Sequence, residues 1–390
     1  MNTQQRSYLS ETAEQIKPSG IRRFFDLATQ MDNVISLGVG EPDFITPWNV
    51  IEASFHSLEQ GYTAYTANAG LLELRQEISK YLRNNYEVEY NPENQVIVTV
   101  GASQAIDLAL RAVLNPGEEV IVIEPCFVSY APAVTLAGGK PVIVHTSAED
   151  DFKVQPEQIE AAITSKTKAV IVCSPNNPTG TLLAKEELIK IATVIEKHDL
   201  LVISDEIYAE LTYDEAFTSF SAIEGMMKRT ILISGFSKAF AMTGWRLGYA
   251  VGPKEIIAAM TKIHQYTIMC APTMAQHGAL EALRNGNTSV QEMKTSYRQR
   301  RNFVVKALKD IGISCHLPGG AFYVFPSIKK TGLTSEKFAE ELLKKEKVAV
   351  VPGNVFGESG EGYIRCSYAT SLKQLDESMK RIDRFIHEQV

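Results

Sequence analysis

The stretch Thr230-Ile231-Leu232-Ile233-Ser234-Gly235-Phe236-Ser237-Lys238 begins with an apolar, β-branched run and ends on an amine. The run Thr230–Ile233 has the make-up of a strand buried on both faces. Lys238 then stands just past its carboxyl end, where open α/β sheets bind their ligands. Its neighbours Ala239, Phe240, Ala241 and Met242 are small or apolar. Burial among such residues lowers an amine's pKa and makes it a nucleophile. Gly235, three residues earlier, excludes a Ser-x-x-Lys acyl-enzyme site. Ser237 and Arg246, the latter closing Thr243-Gly244-Trp245-Arg246, could hold an anion beside a lysine Schiff base.

Outward from this stretch the same pattern repeats. Apolar runs occur at Val96–Val100, Val120–Ile123, Pro141–Val144, Ala169–Val172, Leu200–Ile203 and Leu247–Val251. Helical patterns lie between several of them, such as Leu188, Ile191 and Ile195 at i, i+3, i+7. Strands alternating with helices predict an α/β fold, a mostly parallel sheet between helices. From about residue 290 the pattern changes. Strand-like pieces at Ala321–Phe325, Val348–Val351 and Tyr363–Cys366 flank a lysine-rich helix. A last helix follows, with Leu375, Met379, Ile382 and Ile386 on one stripe. This predicts a smaller α+β domain over 289–390, beside a large domain over 46–288.

Other strand ends also carry polar groups. After Leu200–Ile203 comes Ser204-Asp205-Glu206-Ile207-Tyr208, a carboxylate three residues before a phenol; that spacing suits two groups meeting one heteroaromatic ring. After Ala169–Val172 comes Ser174-Pro175-Asn176-Asn177-Pro178-Thr179-Gly180, a turn whose asparagine amide is free to donate. After Val96–Val100, Gly101-Ala102-Ser103-Gln104 opens a helix over Ala105–Leu114. Ser103 reads either as its N-cap or as part of an anion cradle at the helix N-terminus. The dipole contributes only about 0.3–2 kcal/mol, so Arg246 has to supply much of any phosphate affinity.

Composition narrows the classes. With 39 Lys and Arg against 46 Asp and Glu, the net charge of −7 gives no footprint for nucleic acid or an anionic membrane. Five cysteines with no CxxC pair argue against a disulfide framework or zinc, and for a cytoplasmic protein. Arg6, Glu11, Glu14 and Lys17 leave no room for a signal-peptide core, and no apolar run approaches membrane-spanning length. Gly38-Val39-Gly40 lacks the third glycine of a dinucleotide fingerprint, and Gly139-Lys140 is followed by Pro141 rather than a P-loop hydroxyl.

Taken together, these motifs resemble the fold-type-I, pyridoxal-phosphate-dependent aminotransferases of the aspartate and aromatic group. The resemblance runs from Ile35-Ser36-Leu37-Gly38-Val39-Gly40-Glu41-Pro42-Asp43-Phe44 to Arg365. It implies that Lys238 carries pyridoxal 5′-phosphate, that Asp205 pairs with the ring nitrogen, and that Asn177 and Tyr208 meet the ring's phenolic oxygen. Ala102, Ser103, Ser237 and Arg246 match the phosphate site, and Phe127 the ring-stacking position. Tyr65 resembles the tyrosine that reaches the neighbouring subunit's phosphate, which implies a homodimer. Arg365 matches the grip on the substrate α-carboxylate, with Gly40 allowing close backbone approach. The resemblance also implies that 1–45 joins the small domain. The expected activity is transfer of an amino group from an L-amino acid, aromatic or of broad range, to a 2-oxo acid, with 2-oxoglutarate the expected acceptor. Aspartate, alanine or N-acetyl-diaminopimelate specificity, carbon–sulfur lyase chemistry and a non-catalytic cofactor-sensing regulator are the alternatives.

Overall fold

The structure, a computed structural model, describes residues 8–18, 20 and 31–389. The rest of the expected 1–45 segment (1–7, 19 and 21–30) lies outside the described residues. Its first described strand is β1 (Ile35–Ser36). Then come β2 (Val96–Thr99), β3 (Glu119–Glu124), β4 (Lys140–His145), β5 (Thr167–Cys173), β6 (Leu201–Asp205), β7 (Thr230–Gly235) and β8 (Gly248–Val251). All seven runs read as strands from the sequence thus form, and they make one sheet in the order β2-β8-β7-β6-β5-β3-β4. Every pairing is parallel except those of β8, which is antiparallel to both β2 and β7.

Alternation along each strand buries both faces. Val96 and Val98 enter one core while Ile97 enters the other, and Leu232 faces away from Ile231 and Ile233 in the same way. Helices cover both sides. The helix Lys185–Lys197 buries Leu188, Ile191 and Ile195, as their spacing predicts.

The remaining strands are short: β9 (Tyr323–Val324), β10 (Val348–Ala349), β11 (Val351–Pro352) and β12 (Ile364–Ser367). Strands β11, β12 and β9 form an antiparallel sheet, while β1 pairs in parallel with β10. The last helix, Leu372–Gln389, buries Leu375, Met379, Ile382 and Ile386. A 24-residue helix, Asn287–Asp310, has no counterpart among the elements expected from the sequence. Its buried stripe is Val290, Met293, Tyr297, Arg301, Val304 and Leu308, and a fully buried arginine in the middle disguises it.

Two boundaries differ from expectation. Strand β6 continues through Asp205 because its backbone still pairs with β5 and β7 there. The helix expected from Ala105 starts at Gly101, so Ser103 is inside its first turn and is not the N-cap. Val100 holds that position and has no side-chain acceptor to offer.

Candidate active site

Strand register sets the site. Cys173 of β5 lies opposite Asp205 of β6, and Asp205 opposite Ile233 of β7, so these carboxyl ends open side by side. Above them lies a cavity of about 560 Å³. Eleven of the twelve residues expected from sequence line it: Gly40, Ala102, Ser103, Phe127, Asn177, Asp205, Tyr208, Ser237, Lys238, Arg246 and Arg365. Tyr65 does not; its side chain is 80% exposed on the surface of its own chain.

Lys238 follows β7 by three residues, and its Nζ donates to the carbonyl of Gly40 at 2.6 Å. Burial lowers its pKa to about 8, against the opposing pull of Glu41. A Cβ at Gly40 would sit 2.7 Å from the Tyr323 hydroxyl, so glycine lets this carbonyl come close.

Asp205 is buried. Its Oδ2 accepts from the Tyr130 hydroxyl at 2.6 Å and its Oδ1 from the Ile207 amide at 3.2 Å. Burial raises its pKa, opposed by these two donors and by the charge of Lys238. Among the described residues it has no ion-pair partner. Such a carboxylate suits a cation arriving with a ligand.

The turn after β5 divides its two asparagines. Asn176 closes the turn, its Oδ1 accepting from the Thr179 amide and hydroxyl. Asn177 faces the cavity, and its Oδ1 accepts from Arg365 Nη1 at 2.9 Å, which turns its amide donors elsewhere. Arg365, on β12, also donates from Nη2 to Gly38 O at 2.6 Å, while its buried Nε has no partner. The guanidinium stacks on Tyr323, 4.4 Å from the ring centroid. Tyr323 in turn shares a 2.9 Å hydrogen bond with Tyr208. Tyr130 and Tyr323 were not among the expected site residues. Tyr323 lies in the strand-like piece Ala321–Phe325, whereas nothing local marks Tyr130.

At the other end of the cavity the helix Gly101–Val113 begins without a side-chain cap. Arg246, held at φ 51°, points its guanidinium at that terminus. Its Nη2 is 2.7 Å from where a Cβ on Gly101 would be. Gly248 of β8 is equally constrained, since a Cβ there would lie 2.6 Å from the Ala102 nitrogen.

Pyridoxal 5′-phosphate fits this donor set. The uncapped amides, Ser237 and Arg246 form a cradle for a dianion. The unpaired carboxylate of Asp205 suits a pyridinium nitrogen, Phe127 offers a ring face, and Lys238 presents a depressed amine.

The comparisons with known proteins agree. A profile for aminotransferase class I and II matches residues 32–382. The Bacillus subtilis (strain 168) protein YugH is 65% identical over 382 residues, covering 98% of this chain and 99% of that one. An aspartate aminotransferase of Pyrococcus abyssi is 47% identical, covering 97% and 98%. The crystal structure of an aromatic aminotransferase from Pyrococcus horikoshii OT3 superposes with a TM-score of 0.90 at 46% identity, covering 94% and 99%. The chain thus belongs to the class I and II aminotransferases, fold-type-I enzymes that depend on pyridoxal 5′-phosphate.

Proposed function

We propose that this aminotransferase takes the amino group of an L-amino acid, aromatic or of broad range, and passes it to 2-oxoglutarate. The observation that carries the reading is the convergence of Lys238, Asp205 and Arg365 in one cavity. Bound pyridoxal phosphate supplies an electron sink for the pair left when the substrate Cα–H bond breaks. Asp205 would face the ring nitrogen and favour its protonated form, and Asn177 and Tyr208 would be placed to donate to the ring oxygen. Arg365 would grip the α-carboxylate through the Nη hydrogens not given to Asn177 and Gly38. Lys238, whose pKa of about 8 leaves part of it unprotonated near neutrality, would take the Cα proton at Nζ and be the group that gives it back. Ala102, Ser103, Ser237 and Arg246 keep the phosphate fixed while this happens.

The aromatic preference rests on the charges present. Lys238, Arg246 and Arg365 all have roles, and among the described lining residues there is no further cation for a distal carboxylate. Val39 and Ile106 offer apolar contact instead.

The enzyme works as a homodimer in which Tyr65 reaches the neighbouring phosphate. Ile45, Trp48, Tyr65 and Tyr266 are each more than 65% exposed. The segment carrying Tyr65 is tied to the one that follows the helix of Tyr266, with Asn68 donating to Met269 O and Thr273 to Ala64 O, both at 2.8 Å. Large exposed apolar side chains of this kind suit burial against a second copy. Residues 46–288 form the cofactor domain, and 1–45 with 289–390 the smaller one, a division supported by the β1–β10 pairing. Five unpaired cysteines fit a reducing cytoplasm.

The test is a half-reaction screen: the cofactor-loaded enzyme is mixed with single amino acids and loss of the near-visible absorption is followed. Phenylalanine and tyrosine should react faster than aspartate, with the matching 2-oxo acid released. Pyruvate and ammonia from cysteine conjugates would overturn the reading in favour of a lyase. Lys238→Ala should abolish both covalent cofactor attachment and turnover.

A further inference from the structure

A strap of chain, residues 37–46, crosses the cavity and is fastened at both ends. At one end the Leu37 amide donates to Ala349 O and the Ser367 amide to Leu37 O. At the other, the Thr46 hydroxyl donates to Ala241 O at 2.7 Å and accepts from Trp245 Nε1 at 3.0 Å. Between these anchors the strap turns two carbonyls inward, Gly38 O to Arg365 and Gly40 O to Lys238, each at 2.6 Å. The strap therefore touches the two cations that handle the substrate's carboxylate and its Cα proton.

One charged clamp holds the outer half of the strap. Arg300 Nη1 lies 2.8 Å and 2.9 Å from the two oxygens of Asp43, and the Tyr297 hydroxyl donates to the same carboxylate. The Arg300 side chain is only 12% exposed, and its guanidinium lies against both Phe44 and Tyr297, 5.4 Å from each ring centroid. Phe44 and Tyr297 themselves meet edge to face at 5.5 Å. A partly buried, stacked ion pair holds its geometry better than an exposed one.

We infer that Asp43 and Arg300 are positioning residues: their ion pair sets the strap so that Gly38 O aims the Arg365 guanidinium at the substrate carboxylate. The inference rests on the role given to Arg365 above. Neither side chain lines the cavity, and the effect passes through the strap backbone. Freed of the clamp, the segment 38–44 keeps the two inward carbonyls, the Thr243–Glu41 hydrogen bond and the packing of Phe44, but no charged anchor at Asp43.

The test compares Asp43→Asn, Arg300→Gln, the double variant and Asp43→Glu with wild type. Each single variant should raise KM for every reactive amino acid by about tenfold while kcat changes less than about threefold, the signature of lost ground-state and transition-state binding alike. The double variant should be no worse than either single one, and Asp43→Glu should recover part of the affinity. Amide hydrogen exchange on the cofactor-free protein gives a separate reading: residues 38–44 should exchange faster in Asp43→Asn, with Leu37 unchanged. Wild-type KM in both single variants, additive losses, or unchanged exchange would each overturn the inference. A wild-type enzyme with no half-reaction would instead overturn the proposed transamination, and the exchange result would still decide the clamp.

Discussion

Lys238 and Asp205 are both displaced from their ordinary ionisation, in opposite senses, and by the same cause. Burial penalises each charge, lowering the amine to about 8 and raising the carboxyl. An amine with that pKa gains its nucleophilic form as pH rises towards 8. In cofactor-free protein, the rate of covalent capture of pyridoxal phosphate should therefore climb about tenfold per unit below pH 8 and level off above it. Stopped-flow absorbance across pH 6–10 reads this directly, and a flat profile would mean that the buried amine is not the one that titrates. The Tyr130 hydroxyl works on the other group, since it favours the charged carboxylate of Asp205. Tyr130→Phe removes that donor, so the Asp205 pKa rises further and its proton is held up to higher pH. The acidic limb of the kcat/KM profile should move upward, with about a tenfold loss near neutrality. An unmoved limb would show that Asp205 is controlled from elsewhere.

At the scale of elements, the phosphate cradle depends on how closely a helix sits on a strand. The first turn of Gly101–Val113 rests on β8 at Gly248, where a Cβ would be 2.6 Å from the Ala102 nitrogen and 2.7 Å from the Gly101 carbonyl carbon. Backbone on backbone has no soft side chain to yield. Gly248→Ala should push the helix terminus away from Arg246 and cost about 1–3 kcal/mol of stability through overpacking. Its Kd for pyridoxal phosphate should rise by about tenfold or more, since the amides and the guanidinium would no longer converge. Fluorescence titration of the cofactor-free variant, alongside its thermal midpoint, separates the two effects. A lower Tm with unchanged cofactor affinity would mean the cradle moves as a unit.

For the whole molecule, the decisive question is whether the site is completed by a second copy. Tyr65 lies outside the lining of its own cavity and its side chain is exposed. If it serves the neighbour, Lys238→Ala and Tyr65→Ala damage different halves of one site. Mixing the two inactive or weakened variants should restore one intact site per mixed dimer. At equal amounts about a quarter of all sites would then be wild type. Assay at limiting cofactor after subunit exchange measures this, and activity no higher than the sum of the separate variants would place Tyr65 outside the neighbouring site.

The seven strands of the large sheet and the residues at their carboxyl ends were legible in the sequence, because fully buried strands are written as short β-branched runs and ligand groups gather where those runs stop. Lys238, Asp205 and Asn177 were found in that way. The helix Asn287–Asp310 was equally well written but went unread, since Tyr297 and Arg301 interrupt its apolar stripe. Other features no local pattern could carry. Tyr130 meets Asp205 across 75 residues, and Arg365 meets Gly38 across 327. The division of labour between Asn176 and Asn177 follows from which side of a turn faces the cavity. The sequence by itself determined the elements and the reactive groups, because strand periodicity and residue chemistry are local. Only the tertiary structure decided how the strap, the clamp and the two unexpected tyrosines join them, because hydrogen bonds between distant segments depend on packing that no short window of sequence contains.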